Sequence, residues 1–232
     1  MAINVYWACL EDQWMLANEP DSVSQVFYEK KLYDKNDPQL MLNACPAFNK
    51  NFTNLFALRS LYDYEFTIEP DGQIHTKYYD QKFFEDHVVV RSAEKRMFSF
   101  CNRYIFFTDA PSLNVTFYEY PYLEDNNITE RCMMVTGQHD IGKWFRNTEW
   151  AFWLKKNYNT FKIERNEIYS YVRFNTDQKI KFKQFKWTDK CKEYNNDGFG
   201  LNFYGYMKTM ENFYKNFRTK KLILKEIKEN LL

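Results

Sequence analysis

A chain of 232 residues with 22 Phe, 18 Tyr and 6 Trp but only 6 Gly holds enough large apolar side chains for a well-packed core, since each aromatic buries roughly 150–250 Å². Its 32 Lys and Arg against 31 Asp and Glu leave no overall field to steer it onto nucleic acid or an anionic membrane. No apolar run approaches the roughly 20 residues that span a bilayer, and five widely spaced cysteines without a CxxC pair read as buried free thiols.

The N-terminal MAINVYWACLEDQW has no basic region ahead of its apolar stretch and turns acidic at Glu11, so it is not a secretory signal, and a reducing intracellular setting is expected. Residues 3–10 read as an entry strand, and polar covering loops follow to residue 50. From Leu55 onward, LFALRS and YDYEFTI lead into the turn Glu69, Pro70, Asp71, Gly72 and then QIHTKYY, a hairpin with Pro and Gly where turn geometry wants them. Further strands are expected at VVVRS (88–92), MFSFCNRYIFFT (97–108), LNVTFYEY (113–120) and RCMMVTG (131–137). In LNVTFYEY, Leu113, Val115 and Phe117 fall on one face and Asn114, Thr116 and Tyr118 on the other, the period of a half-buried strand.

TFKIER and EIYSYVRF read as a second hairpin across Arg165, Asn166 and Glu167, with Asn166 left-handed. KIKFKQFKW alternates Lys with apolar residues and closes the β region. Beyond it the period changes: Tyr206, Met210, Phe213, Phe217, Leu222, Ile223, Ile227 and Leu231 mark the apolar face of a helix whose basic cluster at 218–221 is a solvated surface. The expected architecture is therefore mainly β, an antiparallel β-sandwich or jelly-roll-like barrel with a C-terminal α-helix. Residues 1–204 form one β-rich domain, and 205–232 a helix packed on it or extending from it.

Two segments, NACPAFNKNFTNLFALRSLYDYEFTIEPDGQ and HDIGKWFRNTEWAFWLKKNYNTFKIERNEIYSYVRF, resemble a set of proteins encoded by T4-like bacteriophages of marine hosts. The resemblance spans residues 40–175 and lies in pattern: Cys45 and Pro46 ahead of a strand, the acidic turn at Asp71 and Gly72, the GKWFR segment at 142–146 and the paired strands at 161–174. It implies a phage origin and a place in the host cytoplasm or the virion. It implies no particular activity, since the set is itself of undetermined function.

No P-loop, GxGxxG, GxSxG or HExxH occurs. Three histidines, His75, His87 and His139, make an iron site the alternative to having no cofactor, because jelly-roll barrels commonly hold two imidazoles and a carboxylate around non-haem iron. Here the carboxylates abut the histidines, as Asp86 beside His87 and Asp140 beside His139, and adjacent strand residues point to opposite faces. Thiol chemistry is confined to Cys132 beside Arg131 and Cys191 between Lys190 and Lys192, both expected to be structural. A hydrolase built on two carboxylates distant in sequence leaves no pattern to read.

A binding loop, if there is one, is expected at 137–150, where His139, Asp140, Lys143, Trp144, Arg146 and Trp150 gather between strands. The competing expectation is that Trp144 and Phe145 plug one end of the sandwich. In KIKFKQFKW strict alternation puts Lys179, Lys181 and Lys183 on one side and Ile180 and Phe182 on the other, which describes an outer strand and disfavours nucleic-acid binding. Three functions are weighed: a phage protein acting through contacts with a protein partner or further copies of itself, a cupin-like or 2-oxoglutarate and iron enzyme, and a carbohydrate-binding protein using exposed indoles. The first is preferred, because the other two need a constellation that the sequence does not display.

Overall fold

Side chains alternate between two cores from the first strand onward. In the computed structural model, which describes residues 2–10, 17–29, 46–71, 73–101, 103–119, 127–135, 137–203 and 219–232, β1 (Ala2–Cys9) turns Val5, Trp7 and Cys9 to one core and Tyr6 and Ala8 to another. A strand buried on both faces needs a layer against each. β2 (Asp21–Ser22) and α1 (Val23–Glu29) follow, then α2 (Pro46–Phe52), β3 (Leu55–Arg59), β4 (Tyr64–Ile68) and β5 (Ile74–Thr76). Next come α3 (Gln81–His87), β6 (Val88–Ser92), β7 (Met97–Cys101), β8 (Tyr104–Thr108), β9 (Asn114–Tyr118) and α4 (Asn127–Arg131). The strands β10 (Cys132–Met134), β11 (Gly137–Asp140), β12 (Glu149–Leu154), β13 (Thr160–Ile163), β14 (Ile168–Phe174) and β15 (Lys179–Gln184) precede α5 (Asp189–Phe203) and α6 (Lys220–Glu229).

The protein is mainly β, and nearly all pairings are antiparallel, in sheets ordered β15-β1-β8, β10-β12-β7-β6, β11-β9-β14-β3-β2 and β13-β4-β5. Among the described residues the exception joins the two ends of the β region: β1 lies parallel to β15, with Ala2 opposite Lys179 and Trp7 opposite Gln184. Between the sheets sits a large aromatic core in which Phe66, Phe98, Phe152 and Phe161 meet at centroid distances of 5.1 to 6.3 Å. A second core lies on the other side of β1 and β8. There Tyr6, Ala8, Ile105 and Phe107 pack against Phe145, Phe185, Cys191, Ile223 and Ile227.

The hairpin around Asp71 forms as its turn residues dictate, with Ile68 opposite Ile74 and the Asp71 carboxylate accepting the Gln73 N–H at 3.0 Å; Gly72 lies outside the described residues. The hairpin expected at 160–174 does not form. Instead β14 pairs with β3 and β13 pairs with β4, so residues 55–68 and 160–174 make one long ribbon that bends where it passes from one sheet to the next. Ser60 and Asn166 are the corner: Ser60 N–H donates to the Glu167 carbonyl at 2.9 Å and Asn166 N–H to the Ser60 carbonyl at 2.8 Å. Asn166 does adopt the left-handed backbone expected of it, with φ 67°. The turn changes direction without folding β14 back onto β13, because the opposite arm already takes up the backbone groups.

The run at 97–108 is two strands rather than one. β7 sends Phe98 and Phe100 into the first core, while β8 belongs to another sheet and divides its side chains between the cores, Tyr104 and Phe106 to one and Ile105 and Phe107 to the other. Residues 131–137 likewise split, into β10 and the start of β11. The short helices were not legible. One of them, α3, is held by a proper cap: the Asp80 carboxylate accepts the Phe83 N–H at 2.8 Å. At the C-terminus α6 lies inside the expected helix and buries Ile223 and Ile227, four apart on one face, but Leu222 is 56 % exposed. The expected boundary at 204/205 and the face from Tyr206 to Phe217 lie outside the described residues. Ahead of them, α5 replaces the last part of the expected β domain; its DKCKEYNNDGFGLNF has two Gly and no clear apolar stripe, which hides a helix from sequence reading.

Candidate functional site

The segment at 137–150 is fastened into the molecule from end to end. β11 runs antiparallel to β9, which sets His139 opposite Val115 and Asp140 opposite Asn114, so the two side chains leave on opposite faces. The His139 ring stacks on Phe117 (centroids 5.5 Å, planes 11° apart) and meets Trp144 edge-on at 5.4 Å. Burial, aided by the Arg146 charge and only partly offset by Asp140, lowers its pKa to about 4. His139 is thus a neutral ring in an aromatic stack at ordinary pH.

Asp140 points the other way, into a ring of donors. It accepts the Ser112 hydroxyl at 2.5 Å, the Leu113 N–H at 2.9 Å and the Gly142 N–H at 2.8 Å, and pairs with the Lys143 ammonium at 3.2 Å. Burial alone would raise its pKa, but these four donors outweigh it and the carboxyl titrates below its ordinary value. The loop it holds has no slack, since a Cβ on Gly142 would stand 2.9 Å from the Ala110 carbonyl oxygen and 3.0 Å from the Ser112 Cα. Lys220, on the first turn of α6, donates to the Gly142 carbonyl at 2.8 Å and also to that of Ala110, so it ties the helix to both loops.

The rest of the segment is packed in the same way. Phe145 enters the second core beside Phe107, 5.2 Å away, and the Asn147 N–H donates to the Asn195 side chain of α5 at 2.8 Å. The Arg146 guanidinium lies over the Trp144 ring at 5.2 Å, its pKa lowered to about 10 by burial and by Arg91. Trp150 is buried between Phe117 (5.1 Å) and Tyr169 (4.7 Å). The residues gathered by the sequence are therefore brought together, in the arrangement of a plug: His139, Asp140 and Trp150 are buried, while Lys143, Trp144 and Arg146 are half-buried.

The other histidines stand apart from it. His87 ends α3, its ring stacked on Phe83 with Nδ1 2.7 Å from the Phe83 carbonyl, and His75 is exposed on β5 opposite Thr67. Among the described residues no three His, Cys, Asp or Glu side chains gather as a metal site would require. Four of the cysteines, Cys9, Cys101, Cys132 and Cys191, are free thiols, and Cys45 lies outside the described residues. Burial pushes the Cys132 thiol up to about 12 and raises that of Cys191, the reverse of activation. On β15, Ile180 and Phe182 pack toward the core while Lys179 and Lys181 are exposed, the outer strand expected. A cavity of about 20 Å³ beside Ser60, Tyr64, Cys101, Arg103 and Tyr169 has room for little more than one water.

The sequence reading passed over the outer face of β10-β12-β7-β6. Phe98, Phe100, Trp150, Phe152 and Leu154 all turn into the core, so the residues between them form the other surface. Met133 stands opposite Trp153, and Trp153 opposite Met97, in a row across three strands. Met133 is 52 % exposed and Trp153 37 %, and Val135, beside them, is also exposed. The adjoining half of the face is polar: Arg91 lies across it, donating to the Ser99 hydroxyl at 3.0 Å and pairing with Glu149. The signal was present in EWAFWL, where filling the core with Trp150, Phe152 and Leu154 leaves Trp153 outside.

No protein-family model matches this chain, and neither the curated proteins nor the solved structures contain a match to it. No helix among the described residues is long and apolar enough to cross a membrane.

Proposed function

We propose that this chain is a phage-encoded β-sandwich protein that acts through protein contacts, as a virion accessory or a host-directed factor. The phage assignment draws on the resemblance of residues 40–175. The observation that carries the contact role is the Met133, Trp153 and Met97 row, an indole flanked by two flexible thioethers on an exposed sheet face. Tryptophan dominates binding energy at protein interfaces, and methionine adapts its shape to a partner.

Carbohydrate binding would draw on the same face, since sugar rings stack on exposed indoles, but of the three indoles at 144–153 Trp150 is buried and Trp144 packs against His139, and Trp153 stands between methionines. The test is capture by the immobilised protein from lysates of infected and uninfected host, beside Met133→Asp. An infection-dependent or host protein retained by the parent and lost with Met133→Asp is the expected result. Retention of the same proteins by both, or of none by either, contradicts the proposal.

A further inference from the structure

One edge of the sheet β15-β1-β8 is paired only at its ends. In a parallel ladder every second residue turns both its backbone groups to the partner strand. The Phe185 N–H, donating to the Trp7 carbonyl at 3.0 Å, fixes which: Lys179, Lys181, Lys183 and Phe185 bond β1, and the even-numbered residues between them face outward. At one end of this outward row the Asn54 amide donates to the Gln178 carbonyl at 2.9 Å. At the other, the Leu232 N–H donates to the Gln184 carbonyl at 3.1 Å and the Lys186 N–H to the Asn230 carbonyl at 2.9 Å, so residues 230–232 run antiparallel along the edge. Between these ends, among the described residues, nothing bonds the outward N–H and C=O groups of Ile180 and Phe182, and no strand lies beyond β15. With its side chain in the core, Ile180 still shows 7 % of its surface, where Val5 and Trp7 of the central strand show 0 % and 1 %.

We infer that this edge takes an extended segment of a partner protein as an added strand, in line with residues 230–232, whose acidic side chains alternate with apolar ones and stand opposite Lys179 and Lys181. The inference goes beyond the contact role of the Met133 row, which belongs to a different sheet. The backbone groups of Ile180 and Phe182 supply the bonds, and side chains at every second position supply the selectivity. Positions opposite Ile180 and Phe182 become the hydrogen-bonded pairs. The lysines then take the non-hydrogen-bonded positions, where facing side chains come closest. Lys179 and Lys181 are exposed, and their ammonium groups make no ion pair or hydrogen bond among the described residues; Lys183 lies over the Tyr6 ring at 5.9 Å. Of the described carboxylates nearby, Asp109 accepts the Tyr6 hydroxyl at 3.0 Å and pairs with Lys228 at 3.6 Å, and Asp177 precedes the strand. The same lysines exclude a second copy of the chain. Pairing the edge with itself through Ile180 and Phe182 sets Lys181 of one copy against Lys181 of the other and Lys179 against Lys183, and like charges directly opposite are destabilising. Single-stranded nucleic acid would meet these lysines without a stacking face, since Ile180 and Phe182 pack toward the core.

The test follows individual backbone amides by NMR while the protein is titrated with a short capped peptide of alternating Glu and Val. Comparison probes are the same peptide with Lys for Glu, the same peptide N-methylated at alternate residues, and oligo(dT). In the free protein the amides of Ile180 and Phe182 are expected to exchange faster than those of Lys181 and Lys183, which bond β1. With the Glu and Val peptide they are expected to slow about tenfold or more, with affinity that falls as salt rises. The double variant Lys179→Glu, Lys181→Glu is expected to lower that affinity about tenfold or more; both lysines are exposed, so folding is preserved. Met133→Asp is expected to leave it unchanged. Slow exchange of Ile180 and Phe182 in the free protein, or no added protection with the peptide, overturns the inference. Equal binding of the Lys or the N-methylated peptide, tighter binding of oligo(dT), an affinity that the double variant leaves unchanged, or one lost in Met133→Asp overturns it as well. Lysate capture through the Met133 row is independent of each of these results, so either reading can fail without the other.

Discussion

Protonating His139 would place a charge between Phe117 and Trp144, beside the Arg146 guanidinium, and the fold resists it. The unfolded chain takes up this proton near the ordinary 6.5 and the folded chain only near 4. Between those values the unfolded state binds more protons, so the stability that is fully present above pH 6.5 declines as pH falls toward 4. Urea unfolding at pH 7 and pH 4.5 is expected to show a loss of about 2 kcal/mol, and His139→Phe, which keeps a ring in the stack, is expected to flatten that slope. A slope unchanged in His139→Phe contradicts the assignment. Asp140 acts in the same direction at lower pH, because its donors hold the carboxyl below its ordinary value. The neighbouring glycines give a second contrast: Gly142→Ala meets backbone atoms at 2.9 and 3.0 Å and is expected to cost about 1–3 kcal/mol. Gly137→Ala, with nothing within 4 Å of its Cβ, is expected to stay within about 0.5 kcal/mol; both are read from urea midpoints. At this scale the sequence shows which residues are chemically notable but not their partners. The donors to Asp140 from Ser112 and Leu113 lie 28 and 27 residues away, with nothing local to announce them, whereas the left-handed Asn166 was legible because its turn is local.

Among the elements, α6 tests how the second core is closed. Ile223 and Ile227 fill it from the helix side, and Lys220 joins the helix to the loops at Ala110 and Gly142. Ile227→Ala is expected to destabilise by about 2–5 kcal/mol, as buried aliphatic truncations do. Lys220→Met, at a half-buried position, is expected to cost only about 1 kcal/mol and to speed amide exchange in the first turn of α6 more than in β1. Equal protection of that turn in the variant and the parent contradicts the role given to Lys220. Most strands were legible through their period of two, as in β9 and β15. Pairings were less so: β13 and β14 look like a hairpin because Asn166 sits between them, yet each finds its partner in residues 55–68, about a hundred positions earlier. The run at 97–108 looked continuous because both halves are apolar, and only the division of β8 between two cores separates them.

Over the whole molecule, aromatic content and neutral charge announce a packed, mainly β fold, and that much was written in composition and alternation. The loop at 137–150 drew notice because it gathers ionisable and indole side chains, but His139 and Trp150 pack on Phe117 of β9, and the loop's backbone meets α5 at Asn195 and α6 at Lys220. The surface that carries the functional proposal was less conspicuous, because Met97, Met133 and Trp153 are apolar residues in apolar strands, and only the pairing of three strands reveals them as one row, with Met133 and Trp153 exposed and Met97 half-buried. Photo-crosslinking in the infected host, with a benzophenone amino acid at position 133 and, as a control, at the equally exposed Leu222 of α6, addresses that row most directly. The account predicts a discrete crosslinked protein from position 133 that is absent from position 222 and lost when Trp153→Ser is added. Crosslinks of equal yield from both positions, or none from position 133, would contradict it.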